Sequence, residues 1–117
     1  MRESILKSKS YNFALRIVKL YQFVCREKNE FTLSKQILRS GTSIGANVEE
    51  ASQAQSKADF IHKLSIAQKE CAETHYWLRL LRDSQYLTEK QVDSLLEDCE
   101  ELQKLLTSSI KTAKKSI

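Results

Sequence analysis

The chain has 117 residues, of which 41% are hydrophobic and 29% charged, with two glycines, no proline and a formal net charge of +4. That length holds one hydrophobic core and a single domain, 1–117, and so little glycine and proline favours helices joined by short polar turns. No apolar run reaches the roughly 20 residues of a membrane span, and the N-terminal MRESILKSKSYNF lacks the uninterrupted apolar core of a secretory leader, so the expected setting is cytoplasmic, with no membrane partner.

Four helical segments are predicted. The first runs from about Tyr11 to Lys28 behind Ser10 as cap, with Ala14, Ile17, Tyr21 and Val24 as its seam and Phe13, Val18, Leu20 and Cys25 broadening it. Asn29 and Glu30 break the pattern, and Thr32 is the expected cap of the second segment. There, within Leu33 to Ser56, the residues Ile37, Gly41, Ile44, Val48 and Ala51 recur at steps of four and three, the spacing of one buried helix face. Gly41 and Gly45 stand one turn apart on that face or its edge. A glycine inside a helix costs roughly 1 kcal/mol relative to alanine, so the pair implies close approach of another helix. A phosphate-cradling loop is the competing explanation, but GTSIG lacks the required glycine spacing.

Ser56 opens the third segment, with Asp59 at capping-box distance. Its seam, Phe60, Leu64, Ala67, Cys71, Thr74, Leu78 and Leu81, alternates four and three throughout. Thr88 caps the fourth, which carries Val92, Leu95, Cys99, Leu102, Leu106, Ser109 and Ala113. Apolar positions averaging 3.5 residues apart specify left-handed, nearly antiparallel packing, and short connections make sequential helices antiparallel. The predicted fold is all-α, a left-handed up-down-up-down antiparallel four-helix bundle.

Some apolar surface lies off these seams. Ile66 and Leu80, with Trp77 on the shoulder of the third seam, and Phe23 on the first helix, exceed what so small a bundle hides. Ile66, Trp77 and Leu80 are therefore the expected contacts of a homo-oligomer.

Candidate chemistry is sparse. Cys25, Cys71 and Cys99 are odd in number and fall on apolar faces, as reduced core thiols do. Cys71 and His75 stand one turn apart, but no second pair has ligand spacing, so no metal is expected. A di-iron bundle needs Glu-x-x-His twice, and only Asp59-x-x-His62 comes near it. His62 and His75 are read as surface or interface histidines, and Glu49, Glu50, Glu70 and Glu73 as solvated or ion-paired carboxylates. No catalytic residue, no cofactor and no enzyme activity are expected.

Charge is uneven. Residues 1–40 hold nine Lys/Arg against three Asp/Glu, residues 104–117 hold four lysines and no acid, and Glu97, Asp98, Glu100 and Glu101 form an acidic patch between them. In the predicted bundle the start of helix one, the second turn and the end of helix four share one pole, gathering Lys7, Lys9, Lys57, Lys111, Lys114 and Lys115. Such a pole suits phosphate backbones of RNA or DNA. The competing explanation of the last three lysines is that cations complement the negative end of a helix dipole. Arg16, Lys19 and Arg26 on the first helix are the alternative basic surface. No aromatic-interleaved basic stripe is present, so base-sequence reading is not expected.

The run QILRSGTSIGANVEEA, followed by SKADFIHKLSIAQKECAETHYWLRLL, resembles the bacterial four-helix-bundle proteins encoded in intervening sequences of 23S ribosomal RNA genes. The matching residues are Gln36, Ile37, Arg39, Ser43, Ile44, Asn47, Val48 and Glu50, then Lys57, Asp59, Phe60, Glu73, Tyr76, Trp77 and Leu78. Gly45 departs from the pattern, since many relatives carry proline there. The resemblance covers roughly residues 10–115 and implies a ring-shaped homo-oligomer, commonly a pentamer. It also implies kinship with accessory proteins of diversity-generating retroelements, bundles that bind nucleic acid and a reverse transcriptase. A gene lying within a ribosomal RNA gene does not make its product an RNA binder. Two function classes therefore stand side by side, a nucleic-acid-binding ring and a scaffold that engages only protein. Within the resembling stretch, Arg39, Asn47, Glu50 and Glu73 are expected to form a structural polar network, within or between subunits. An antiparallel turn centred near Ser56 puts Arg39 and Glu73 at one height.

Overall fold

The computed structural model describes residues 2–116, and among them only helices and short turns occur. The helices are α1 (Arg2–Lys28), α2 (Leu33–Ser52), α3 (Lys57–Asp83) and α4 (Glu89–Lys115). Each borders two others: α1 lies against α2 and α4, and α3 against α2 and α4. The molecule is rod-like, 48 × 21 × 19 Å, close to the length of about 40 Å that a 27-residue helix spans at 1.5 Å per residue.

Across each pair of sequential helices, residue numbers fall along one helix as they rise along its neighbour. Gly41 and Gly45 of α2 meet Ile17 and Ser10 of α1; Ser40 and Glu50 of α2 meet Thr74 and Lys63 of α3; Gln68, His75 and Arg82 of α3 meet Thr107, Glu100 and Asp93 of α4. All four helices share one apolar core, which includes Ile17, Ile37, Ile44, Leu64, Leu78, Val92 and Leu106. Each such side chain contributes about 1.5–3 kcal/mol by leaving water.

The seams of α2, α3 and α4 follow the expected residues, with Phe60 and Ala113 only half-buried at their ends. α1 differs. It begins at Arg2, so Ser10 is an interior residue rather than a cap; it is buried, and its hydroxyl donates to the Lys7 carbonyl. The α1 seam is Leu6, Ser10, Phe13, Ile17, Leu20 and Val24, while Ala14 and Tyr21 are half-buried on its flank. Both series alternate four and three and share Ile17 and Val24, so only the extra N-terminal turns decide between them.

The glycines do what their helix cost implied. A Cβ on Gly41 would stand 2.8 Å from both Cγ atoms of Ile17, and one on Gly45 would stand 3.2 Å from the Ser10 carbonyl oxygen. α1 and α2 thus approach at a distance that only a missing side chain permits.

The turns are closed by different devices. Thr88 caps α4 in a full capping box with Gln91, and Ser56 accepts from the Asp59 amide at the start of α3. Thr32 makes no side-chain cap to α2. Glu30 replaces it: its buried carboxylate accepts from the amides of Thr32, Leu33 and Ser34 at 2.9, 2.9 and 2.8 Å, and its carbonyl accepts from the Ser34 hydroxyl. Asn29 before it has φ 51°, the left-handed conformation asparagine tolerates at a helix end.

Candidate functional site

The seam between α2 and α3 carries the densest polar cluster. One residue inward, the Thr74 hydroxyl donates to Ser40 Oγ at 2.9 Å, both side chains being buried. Outside it, the Arg39 guanidinium binds Glu73 and, at 3.1 Å, Glu70. Glu73 also accepts from the Trp77 indole at 2.9 Å, which pins the ring on the edge of the core. Tyr76 meets that ring edge-on at 5.0 Å. Arg39, Glu70, Glu73 and Trp77 thus form one clamp between helices within a single chain.

Asn47 and Glu50 are not part of it. Asn47 donates to the Ser43 carbonyl at 2.9 Å, one turn back on its own helix, and Glu50 pairs with Lys63 at 2.9 Å. That pairing raises the Lys63 pKa above its ordinary value, first through the hydrogen bond and then through the carboxylate's charge. Ser40, Thr74 and Glu70 are the members that motif reading missed. Ser40 and Thr74 stand on the seams, three residues from Ile37 and from Cys71, and that spacing held the available signal; Glu70, beside Cys71 and off the seam, carried none.

The six lysines divide. Lys57 donates to the Ser116 carbonyl and hydroxyl at 2.6 and 2.8 Å, which ties the start of α3 to the end of α4 beside Lys114 and Lys115. Lys7 pairs with Glu49 at 3.6 Å near the end of α2. Lys9 pairs with Glu101 at 3.2 Å, on the order of 15 Å along α4 from Lys111 at 1.5 Å per residue, so it belongs to the side of the rod. Lys111, Lys114 and Lys115 are exposed and form no ion pair with any described residue. Lys104, seven residues before Lys111, joins Lys111 and Lys115 along a groove of about 480 Å³ on the face of α4.

The acidic patch of α4 is largely consumed internally. Asp98 takes Arg16 at 2.5 Å, Glu101 takes Lys9, and Glu100 takes His75 at 3.0 Å. Arg16 also donates to Ser94. The α1–α4 seam is thereby held by ion pairs, and Arg16 is drawn away from service as a free cation.

Ile66, Trp77 and Leu80 are each half-buried. Larger exposures occur elsewhere, at Tyr11 (61%) and Leu15 (47%) on α1, and at Tyr76 (49%) on α3. Tyr11, Leu15 and Val18 follow one another at four and three residues, so α1 presents a second apolar stripe outward. Among the described residues no group of three His, Cys, Asp or Glu is placed to hold a metal, and no helix is long and apolar enough to cross a membrane.

Comparison with known proteins places this architecture. A solved structure from Bacteroides thetaiotaomicron VPI-5482, described as a protein of unknown function from the S23 ribosomal protein family, is 58% identical and superposes with a TM-score of 0.93, covering 95% of this chain and 99% of that one. No curated protein matches the chain. The 23S rRNA-intervening sequence protein family matches residues 2–108, a span that takes in the α2–α3 clamp and nearly all of the core. The chain therefore belongs to the 23S rRNA-intervening sequence protein family.

Proposed function

We propose that this chain is a non-catalytic, cytoplasmic bundle that assembles head to tail into a ring and binds nucleic acid through basic surface, without reading base sequence. The falling registers across α1–α2, α2–α3 and α3–α4 support an up-down-up-down topology, which sets the ends of α2 and α4 and the start of α3 at one pole, and the four-and-three spacing of the seams favours left-handed packing. The observation that carries nucleic-acid binding is the unmatched charge of Lys104, Lys111, Lys114 and Lys115 on α4, a segment of the chain with no acid after Glu101. Repeated around a ring, this cluster becomes a crown that engages several phosphates together, weak per subunit and strong for the assembly.

The apolar surface supports a ring rather than a two-fold dimer. A ring interface is heterologous and needs two different patches on each subunit. α1 supplies Tyr11, Leu15 and Val18; α3 supplies Tyr76 and Leu80, with Ile66 and Trp77 behind them. Since α1 borders α2 and α4 but not α3 among the described residues, these patches lie on opposite sides of the rod. A pentamer is the number we favour, by family membership.

A scaffold engaging only another protein is the second reading, favoured by the ion pairs that occupy Lys7, Lys9 and Arg16. Light scattering on the purified protein, repeated with a structured RNA and a duplex DNA at two salt concentrations, separates the two. The first reading expects a multimer that captures either nucleic acid at low salt and releases it at high salt. A multimer that captures neither at low salt belongs to the second.

A further inference from the structure

We propose that Cys71 and Cys99 form a dithiol site, which a small hydroperoxide entering the cleft between α3 and α4 oxidises to an intramolecular disulfide. The inference stands independently of nucleic-acid binding. The two sulfurs lie 3.6 Å apart on facing helices. Each also lies against the other's main chain, Cys71 Sγ donating to the Cys99 carbonyl at 3.2 Å and Cys99 Sγ to the Cys71 carbonyl at 3.3 Å. Sulfurs this close need only approach each other to the bonded distance of about 2.05 Å, a movement of side-chain size.

Access is the second observation. A cleft of about 350 Å³ between α3 and α4 is lined by both cysteines and by His75, Arg79, Glu100 and Gln103. A water occupies about 30 Å³ in the liquid, so a small peroxide fits the cleft. Both cysteines are only 1% exposed, so its last step to the sulfurs takes a small local opening of the α3–α4 seam. His75 is held at the wall by Glu100, and the Arg79 guanidinium adds positive charge to the lining. The two thiols are also unequal. Contact with Cys99 lowers the Cys71 thiol from its ordinary pKa, whereas Cys99 is pushed up by the same contact, by burial and by the negative charge of Glu100 and Asp98, which flank it in the chain. Cys71 is thus the attacking thiolate and Cys99 the resolving thiol.

In the first step the Cys71 thiolate attacks one peroxide oxygen; the S–O bond forms, the O–O bond breaks, and the departing oxygen takes a proton from solvent. In the second, the Cys99 sulfur displaces hydroxide from the Cys71 sulfenic acid. The S–S bond forms, the S–O bond breaks, and the Cys99 proton leaves with hydroxide as water. Two thiols and one hydroperoxide become one disulfide, one alcohol (water, for hydrogen peroxide) and one water, the sulfurs losing the two electrons that the peroxide gains. Cys25 is outside the cleft, on α1, with its sulfur 3.6 Å from the Ser34 hydroxyl, and serves as an internal control.

The test exposes the folded full chain to hydrogen peroxide, quenches it, and alkylates the unfolded protein for intact mass and peptide mapping. The expected result is a fall from three alkylated cysteines to one, a linked Cys71–Cys99 peptide, and full reversal by dithiothreitol. Cys25→Ser should keep the linkage, and Cys99→Ser should accumulate a dimedone-reactive sulfenic acid at Cys71. Persistence of three alkylatable thiols, linkage through Cys25 or between chains, or sulfinic acid at the pair without a cross-link overturns the proposal.

Discussion

Arg39 of α2 and Glu73 of α3 are ion-paired across the helix seam, although thirty-four residues separate them in sequence. Each stands seventeen residues from Ser56, the residue that caps α3, so the turn folds them to one height. The pair is partly exposed, and such pairs contribute little alone. Its neighbour changes the balance: the Glu70 side chain, also bound to Arg39, is only 15% exposed. Removing Arg39 leaves that carboxylate poorly hydrated and unpaired. Arg39→Ala is expected to cost about 1–2 kcal/mol, and Glu73→Gln less than about 1 kcal/mol. Urea unfolding midpoints at constant m-value decide it, and equal small effects would reduce the clamp to surface decoration.

Gly41 and Ile17 define the closest approach of α1 and α2. Alanine at position 41 gains about 1 kcal/mol of helix propensity, but its Cβ would stand at 2.8 Å from a buried, β-branched side chain that has nowhere to turn. Overpacking of this kind costs about 1–3 kcal/mol, so Gly41→Ala is expected to destabilise. Ile17→Ala removes both atoms in conflict, so the double variant should be markedly more stable than the sum of the two single losses implies. Additive losses in that cycle would show that the helices simply move apart.

Glu30 closes the α1–α2 connection with three backbone hydrogen bonds, the task a sequence rule assigns to Thr32. Glu30→Ala is expected to cost about 1–2 kcal/mol, within the range measured for lost caps, whereas Thr32→Ala should stay within about 0.5 kcal/mol. Thermal unfolding of the two variants beside the parent measures the contrast. A larger loss from Thr32→Ala would contradict the assignment.

The seams of α2, α3 and α4 are legible because in each a single unbroken alternation of four and three runs through the apolar positions, and the outward apolar residues of α3 do not form a competing one. α1 was ambiguous because it is apolar on two faces: Phe13 and Leu20 point inward, Tyr11 and Leu15 outward. Taking Ser10 as a cap removed the two turns, with Leu6, that would have settled the phase. The Glu30 cap escaped notice for a different reason, since a long carboxylate reaching forward over the first turn has no short-range signature. That Arg39 and Glu73 stand at one height followed from counting residues about a turn; that they pair within one chain depends on helix rotation, which the count does not give. Ser40 and Thr74 behind them did not, because two small hydroxyls on apolar seams read as tolerated substitutes until their partner across the seam is known.

Assembly can be tested with the two apolar faces separately. Leu15→Glu and Leu80→Glu each place a charge in one patch of the proposed heterologous interface, and Leu15, at 47% exposure, tolerates it without disturbing the core. Each variant alone is expected to be a helical monomer by light scattering at tens of micromolar, roughly the range where modest interfaces saturate. Each retains one intact patch, however, and the patches are complementary. An equimolar mixture should therefore form a heterodimer and nothing larger. A parent chain that is monomeric at that concentration removes the ring, and a mixture that stays monomeric removes its head-to-tail geometry.

The basic end of α4 yields the decisive variant for nucleic-acid binding. Lys111, Lys114 and Lys115 are exposed and lie in the last turns of the helix, where their charges also complement the dipole at a cost of roughly 0.3–1 kcal/mol each if removed. Reversing all three to glutamate is therefore expected to lower the melting temperature slightly while leaving the oligomer intact, which light scattering verifies. Affinity for RNA or DNA should fall by more than tenfold at low salt. The dependence of log affinity on log salt should flatten by roughly 0.7–0.9 for each phosphate that the protein no longer neutralises. Adding Lys104→Glu should deepen both effects, since Lys104 shares the groove with Lys111 and Lys115. A helix-end role alone would change stability and leave the salt slope untouched. Unchanged binding in the intact triple variant would move the binding surface to Lys19 and Arg26 on α1, because Arg16 there is already committed to Asp98.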